Sequence, residues 1–179
     1  MLSTLAGALD ATVECDDADG LAVALALVPS ATDNCTAEPS LNLVSDETTD
    51  DADCESAYTR VRVWNFSDGC GNISESFTQT ITVEDTEAPV LVGDLPVGDE
   101  NLDLCYSEIP EGPSESAIAA LYSDNCGDVV VVKSGEPTGD DCSWSVTYAY
   151  TIADACGNPA DPFSITYSGS DQSVISISC

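Results

Sequence analysis

The stretch YTRVRVWNFSDGCGN, Tyr58–Asn72, carries the fold. Tyr58, Arg60, Arg62, Trp64 and Phe66 fall on one side of an extended chain, and Thr59, Val61, Val63 and Asn65 on the other. Period-two alternation rich in β-branched and aromatic residues specifies a strand. Ser67-Asp68-Gly69 then breaks it with turn formers. Downstream, WSVTYAYTIADACGN (Trp144–Asn158) repeats the same design, with Trp144, Val146, Tyr148, Tyr150 and Ile152 marking the strand. Trp64, Tyr148 and Tyr150 either build a sugar-stacking face or fill a core; the core reading is expected, because large aromatics dominate small cores.

Working outward, the two strands belong to an internal repeat. Asp33-Asn34-Cys35 matches Asp124-Asn125-Cys126, and Asp68–Asn72 matches Asp154–Asn158. Cys15 and Cys105 set a period of about 90 residues, the size of one small β-sandwich. Further strands are expected at Glu75–Val83, Val129–Lys133 and Phe163–Tyr167. Ser114–Tyr122 reads as a helix, with Ser114 as N-cap and Glu115 in the first turn. Leu21–Val28 is open between strand and helical turn. Asp, Gly, Asn and Pro clusters punctuate these elements. The expected fold is all-β: two tandem immunoglobulin-like sandwiches with short helical turns, residues 1–88 and 89–172. Residues 173–179 (SVISISC) resemble ATVEC and NLDLC, and are expected to be the first strand of a following repeat or an exchanged strand. The start of the chain is expected to be a cut into a longer array.

Nine cysteines fall into two groups of four, Cys15, Cys35, Cys54, Cys70 and Cys105, Cys126, Cys142, Cys156, with Cys179 left over. No Cys-x-x-Cys occurs, and histidine is absent, so zinc and thiolate catalysis are poorly served. Structural disulfides in an oxidising, extracellular compartment are the expectation. Four cysteines allow three connectivities, among which sequence does not choose. Neighbour pairing, Cys15–Cys35, Cys54–Cys70, Cys105–Cys126 and Cys142–Cys156, is the working assignment, with Cys179 unpaired or bonded to another unit.

The Asp-Asn-Cys motif, the alternating strand ending in Asp-x-Cys-Gly-Asn, and the exit FTQTITVEDTEAP (Phe77–Pro89) resemble hyalin-repeat and related immunoglobulin-like modules. Such modules occur in tandem in large secreted surface proteins, notably of Bacteroidetes and other marine bacteria. The resemblance implies a structural or adhesive spacer on a cell surface and no enzymatic activity. Repeat one carries it best, through Asp33–Cys35, Trp64, Asp68–Asn72, Thr78–Val83 and Asp85–Pro89; repeat two lacks the matching exit.

Composition excludes other classes. Thirty-three acids against three bases give a net charge of −30, so neither phosphate neutralisation on a nucleic acid nor attraction to an anionic membrane is possible. The longest apolar run, Leu21–Val28, is too short to span a bilayer. Without histidine there is no imidazole base. Chance pairs of carboxylates are inevitable among 33 acids, so they do not signal a hydrolase.

The abundant carboxylates make calcium the natural cofactor. The candidates are Asp68 with Asn72, Asp154 with Asn158, and the junctional Glu84, Asp85 and Glu87. The competing readings are turn capping for the Asx pairs and a solvated linker for the junction. Asn34, Asn65 and Asn72 begin Asn-x-Ser/Thr sequons and are candidate glycosylation sites. The function expected is a stalk or filament shaft, self-associating into a fibre or tandem array by strand exchange through Thr12–Cys15 or Ser173–Cys179. The rival is a calcium-dependent adhesin taking a glycan or protein ligand.

Overall fold

The computed structural model describes residues 1–173. The chain divides into two compact units, Met1–Thr86 and Glu87–Cys179. Both are built on β-sheet, and no helix among the described residues is long and apolar enough to cross a membrane.

The first unit runs β1 (Ala11–Glu14), α1 (Ala18–Ala26), β2 (Ser40–Asp50), β3 (Tyr58–Ser67) and β4 (Phe77–Glu84). These strands form one sheet in the order β1-β4-β3-β2, with β1 parallel to β4 and the other pairs antiparallel. The alternation read in the sequence holds: Trp64 and Phe66 of β3, and Phe77, Gln79, Ile81 and Val83 of β4, are buried. Of Leu21–Val28, the residues up to Ala26 resolve as helix, because Asp17 caps α1 by accepting from the Gly20 backbone N–H at 2.8 Å, and the chain turns extended at Leu27. Gln79, fully buried, pins that helix to the sheet. Its Nε2 donates to the carbonyls of Leu9 (2.7 Å) and Ala24 (3.0 Å). Arg62 joins the same knot, donating through Nη1 to the Leu25 carbonyl (2.9 Å) and to Gln79 Oε1 (3.2 Å), with its guanidinium 4.5 Å from the Trp64 ring centre.

The second unit runs β5 (Val90–Leu91), β6 (Leu102–Asp103), α2 (Glu115–Ala119), β7 (Tyr122–Ser123), β8 (Val129–Ser134), β9 (Thr138–Asp140), β10 (Ser143–Asp154) and β11 (Phe163–Ser170). Its main sheet has the order β6-β11-β10-β8, with β9 also paired to β10 and β6 parallel to β11; β5 and β7 make a separate ribbon. Ser114 is the N-cap of α2, accepting from the Ala117 N–H at 3.2 Å, as its sequence position predicts. The core is one cluster of Ile118, Val131, Val146, Tyr148, Tyr150, Ile152 and Ile165. The buried tyrosines satisfy their hydroxyls on proline carbonyls: Tyr148 on Pro110 (3.0 Å) and Tyr150 on Pro113 (2.8 Å). Gly112 lies between these prolines at φ +68°, where a Cβ would stand 2.7 Å from the Tyr148 ring, so glycine is required by both conformation and space.

β2 has no counterpart in the sequence reading. It is an eleven-residue edge strand, SLNLVSDETTD, exposed along nearly its whole length. Neither face is buried, so no alternation betrays it; pairing with β3 over Ser40–Ser67 to Asp50–Tyr58 makes it a strand. A bulge between Leu43 and Ser45 and the acidic run at its end blunt this edge.

Candidate functional site

The motifs shared by the two repeats converge on one local device, a turn closed by an aspartate around a cysteine. Asp33 Oδ2 accepts from the backbone N–H of Cys35 (3.0 Å) and Thr36 (2.8 Å). Asp124 Oδ1 does the same for Cys126 (3.0 Å) and Gly127 (3.1 Å). Asp140 Oδ1 accepts from Cys142 (2.9 Å). At the end of β3, Asp68 Oδ1 accepts from the N–H of Cys70 and of Asn72, both at 2.8 Å, while Oδ2 accepts from the Asn72 side-chain amide at 2.7 Å. Asp154 repeats this, with Oδ1 on the Asn158 N–H (2.9 Å) and Oδ2 on its side-chain amide (2.8 Å). Gly71 (φ +89°) and Gly157 (φ +93°) supply the left-handed residue each turn needs. Asp-x-Cys-Gly-Asn is thus a turn-forming cassette, in which a carboxylate gathers N–H donors that would otherwise be unpaired.

The electrostatics follow. Hydrogen bonds from Cys35 and Thr36 hold the Asp33 carboxyl below its ordinary 3.8. The Asn72 side-chain amide, then its backbone N–H, does so for Asp68. Both oxygens of Asp68 and of Asp154 face N–H donors within their own turns, and the asparagine turns its NH2 toward the carboxylate. Calcium takes oxygen donors throughout, so what these two pairs display is turn capping. Of the junctional acids, Asp85 is buried in the first unit and Glu84 carries the carbonyl that accepts from the Cys15 N–H at 2.9 Å; Glu87 begins the second unit.

The aromatics are structural. Trp64, Tyr148 and Tyr150 are buried, Tyr150 completely, and Tyr150 stacks on Phe163 with ring centres 4.9 Å apart. They cannot present a sugar-stacking face. Of the sequons, Asn34 is exposed on the turn that Asp33 caps. Asn65 lies within β3, its side-chain oxygen accepting from Asn42 at 3.2 Å, and Asn72 spends its amide on Asp68. Thr12–Cys15, expected as a donor strand, is held by its own chain: Thr12–Glu14 pairs with Thr82–Glu84, and the Cys15 N–H donates to the Glu84 carbonyl. Of Ser173–Cys179, all but Ser173 lie outside the described residues, Cys179 included.

The cysteine assignment from sequence is corrected. Cys15, Cys54, Cys126 and Cys156 are disulfide-bonded, whereas Cys35, Cys70, Cys105 and Cys142 are free thiols. Every neighbour pair, Cys15–Cys35, Cys54–Cys70, Cys105–Cys126 and Cys142–Cys156, holds one bonded and one free cysteine, so none of them exists. The strands explain why. Cys54 precedes β3 and Cys70 follows it, and ten extended residues span about 33 Å. Cys142 and Cys156 flank the twelve residues of β10 in the same way. Cys15 follows β1, where Val13 aligns with Val83 and Val83 with Tyr58, whereas Cys35 precedes Ser40, aligned with Ser67 at the far end of β3. Cys105 follows β6, whose partner Gly169 aligns with Trp144; Cys126 precedes Val129, which aligns with Asp154 at the far end of β10. A disulfide needs Cα atoms within about 7 Å, so neighbours in sequence are strangers in space.

Residues 4–83 match the family model for an HYR-like domain with 4 cysteines. This supports a hyalin-repeat-like module for the first unit, whose four cysteines all fall inside the matched span. No curated protein and no solved structure matches the chain. The match, the sheet-built units and the disulfides fit an extracellular, non-enzymatic repeat module.

Proposed function

We propose that this chain is a structural segment of a cell-surface protein, two HYR-type modules in tandem serving as a stalk or filament shaft, and that copies or neighbouring modules assemble end to end. One observation carries this reading: the motifs the repeats share are spent on holding each unit together. The aromatics fill cores, and the Asp-x-Cys-Gly-Asn carboxylates cap their own turns. The charge of −30 then acts as a solvation shell, tolerable in saline media where the screening length is a few ångström. Association by strand exchange would require β1 to leave β4.

Electron microscopy of the parent assembly tests the proposal. Elongated rods or continuous fibres of repeating beads are expected. Saturable, calcium-dependent retention on a glycan array, with no fibre or rod in the micrographs, would replace the stalk with the adhesin.

A further inference from the structure

The four free thiols among the described residues are not scattered. Cys35 and Cys70 lie at one end of the first unit: Cys35 runs into β2 at Ser40, Ser40 aligns with Ser67, and Cys70 follows Ser67. Asp33 and Asp68, which hold the backbone N–H groups of Cys35 and Cys70, line one shallow cleft of about 180 Å³ together with Phe66 and Pro39. Each of these two thiols is exposed. Cys105 and Cys142 lie at one end of the second unit. Both chain neighbours of Cys105 are tied to the neighbourhood of Cys142: the Tyr106 N–H donates to Asp141 Oδ1 at 2.8 Å, and Trp144 Nε1 donates to the Leu104 carbonyl at 2.8 Å.

The repeat supplies an independent argument. Cys35 and Cys70 correspond to Cys126 and Cys156 of the second unit, and both of those are oxidised. Cys105 and Cys142 correspond to Cys15 and Cys54 of the first, and both of those are oxidised too. Each position that holds a free thiol in one unit therefore holds a disulfide-bonded cysteine in the other. A shared scaffold that accommodates oxidised sulfur at these positions once can accommodate it twice.

We propose that Cys35 bonds to Cys70, and Cys105 to Cys142, when the protein matures in an oxidising compartment, so that every cysteine from Cys15 to Cys156 ends in a disulfide. The step is thiol–disulfide exchange with an external disulfide, either a small-molecule one or that of an oxidoreductase. One cysteine thiolate attacks it and releases one external thiol. The second cysteine then attacks the mixed disulfide and releases the other. Two protein thiols are oxidised, the external disulfide is reduced to two thiols, and the two protons pass to them. Burial and then the charges of Asp171, Glu108 and Asp141 raise the Cys105 thiol above the ordinary 9.0 and suppress its thiolate, which slows its own attack on that external disulfide.

The test is peptide mapping without reduction, after equilibrating the full chain with oxidised glutathione and alkylating what stays reduced. Cross-linked peptides joining Cys35 to Cys70 and Cys105 to Cys142 are expected, with no alkylation at these four positions. Alkylation of the four, or glutathione retained on them as mixed disulfides, would overturn the proposal, as would cross-links joining them to other partners. A second arm compares Cys35→Ser with Cys35→Ser/Cys70→Ser. In the single variant Cys70 is expected to be recovered alkylated or as its glutathione mixed disulfide and in no cross-linked peptide, whereas a cross-link from Cys70 to another peptide would refute its pairing with Cys35.

Discussion

The two units solve one problem differently. Each must hold the segment before its central strands against the sheet. The first unit does it with a buried polar knot, Gln79 and Arg62 gripping the carbonyls of Leu9, Ala24 and Leu25. The second does it with tyrosines, whose rings enter the core while their hydroxyls reach the carbonyls of Pro110 and Pro113. The equivalent strands already differ in sequence, with Arg60, Arg62 and Trp64 set against Val146, Tyr148 and Tyr150. The repeat thus preserves turns and cysteines and leaves the means of bracing free. Turn geometry tolerates few residue types, whereas a core tolerates any set that fills the volume and satisfies its polar atoms.

The largest effect expected from breaking this comparison is in the second unit. Tyr150→Ala removes a fully buried, stacked ring from the single core cluster and is expected to cost about 4 kcal/mol. Denaturant unfolding followed through Trp144, with Trp64 replaced by phenylalanine, reads it directly; a loss below about 1 kcal/mol would show that the cluster is not what braces this unit. Next comes Gln79→Ala, which strands two carbonyls and one face of Arg62 and is expected to cost about 3 kcal/mol, read through Trp64. If Gln79→Ala in an Arg62→Ala background costs the same as alone, the two side chains do not act as a knot.

Acid should separate the turns from the cores. The Asp33 and Asp68 carboxyls titrate lower in the folded chain than the ordinary 3.8. Their contribution to stability is therefore complete at neutral pH and lost as pH falls below 3.8 through the depressed values. Asp68→Asn is expected to be less stable than the parent at neutral pH, and that difference should vanish in strong acid; a difference constant with pH would detach the turn from the carboxylate's charge.

The smallest effect concerns metal. With Asp68 and Asp154 each occupied by N–H donors, EDTA at constant ionic strength is expected to leave Tm unchanged, while added sodium chloride raises it by screening. A fall in Tm on chelation, reversed by calcium, would place a cation among the acids and sharpen the adhesin reading.

Several features were legible in the sequence because they are local. The alternation of Tyr58–Phe66 and Trp144–Ile152, the capping of α2 by Ser114, and the repeat of Asp-Asn-Cys and Asp-x-Cys-Gly-Asn all follow from residue types a few positions apart. β2 was not legible, since its pattern is polar on both faces and only β3 makes it a strand. Nor was Leu21–Val28, which is helix as far as Ala26 in an element that Asp17 caps. The Asx pairs read from sequence as turn caps first and cation ligands second, and the hydrogen bonds of Asp68 and Asp154 within their own turns show the capping directly.

By itself the sequence determined two β-built repeats, their motifs and a net charge of −30, because composition and periodicity are properties of the chain alone. Only the tertiary structure decided which cysteines are near one another. A strand of ten or twelve residues carries its flanking cysteines to opposite ends of a unit, and hydrogen-bonded register then brings cysteines far apart in sequence to the same end.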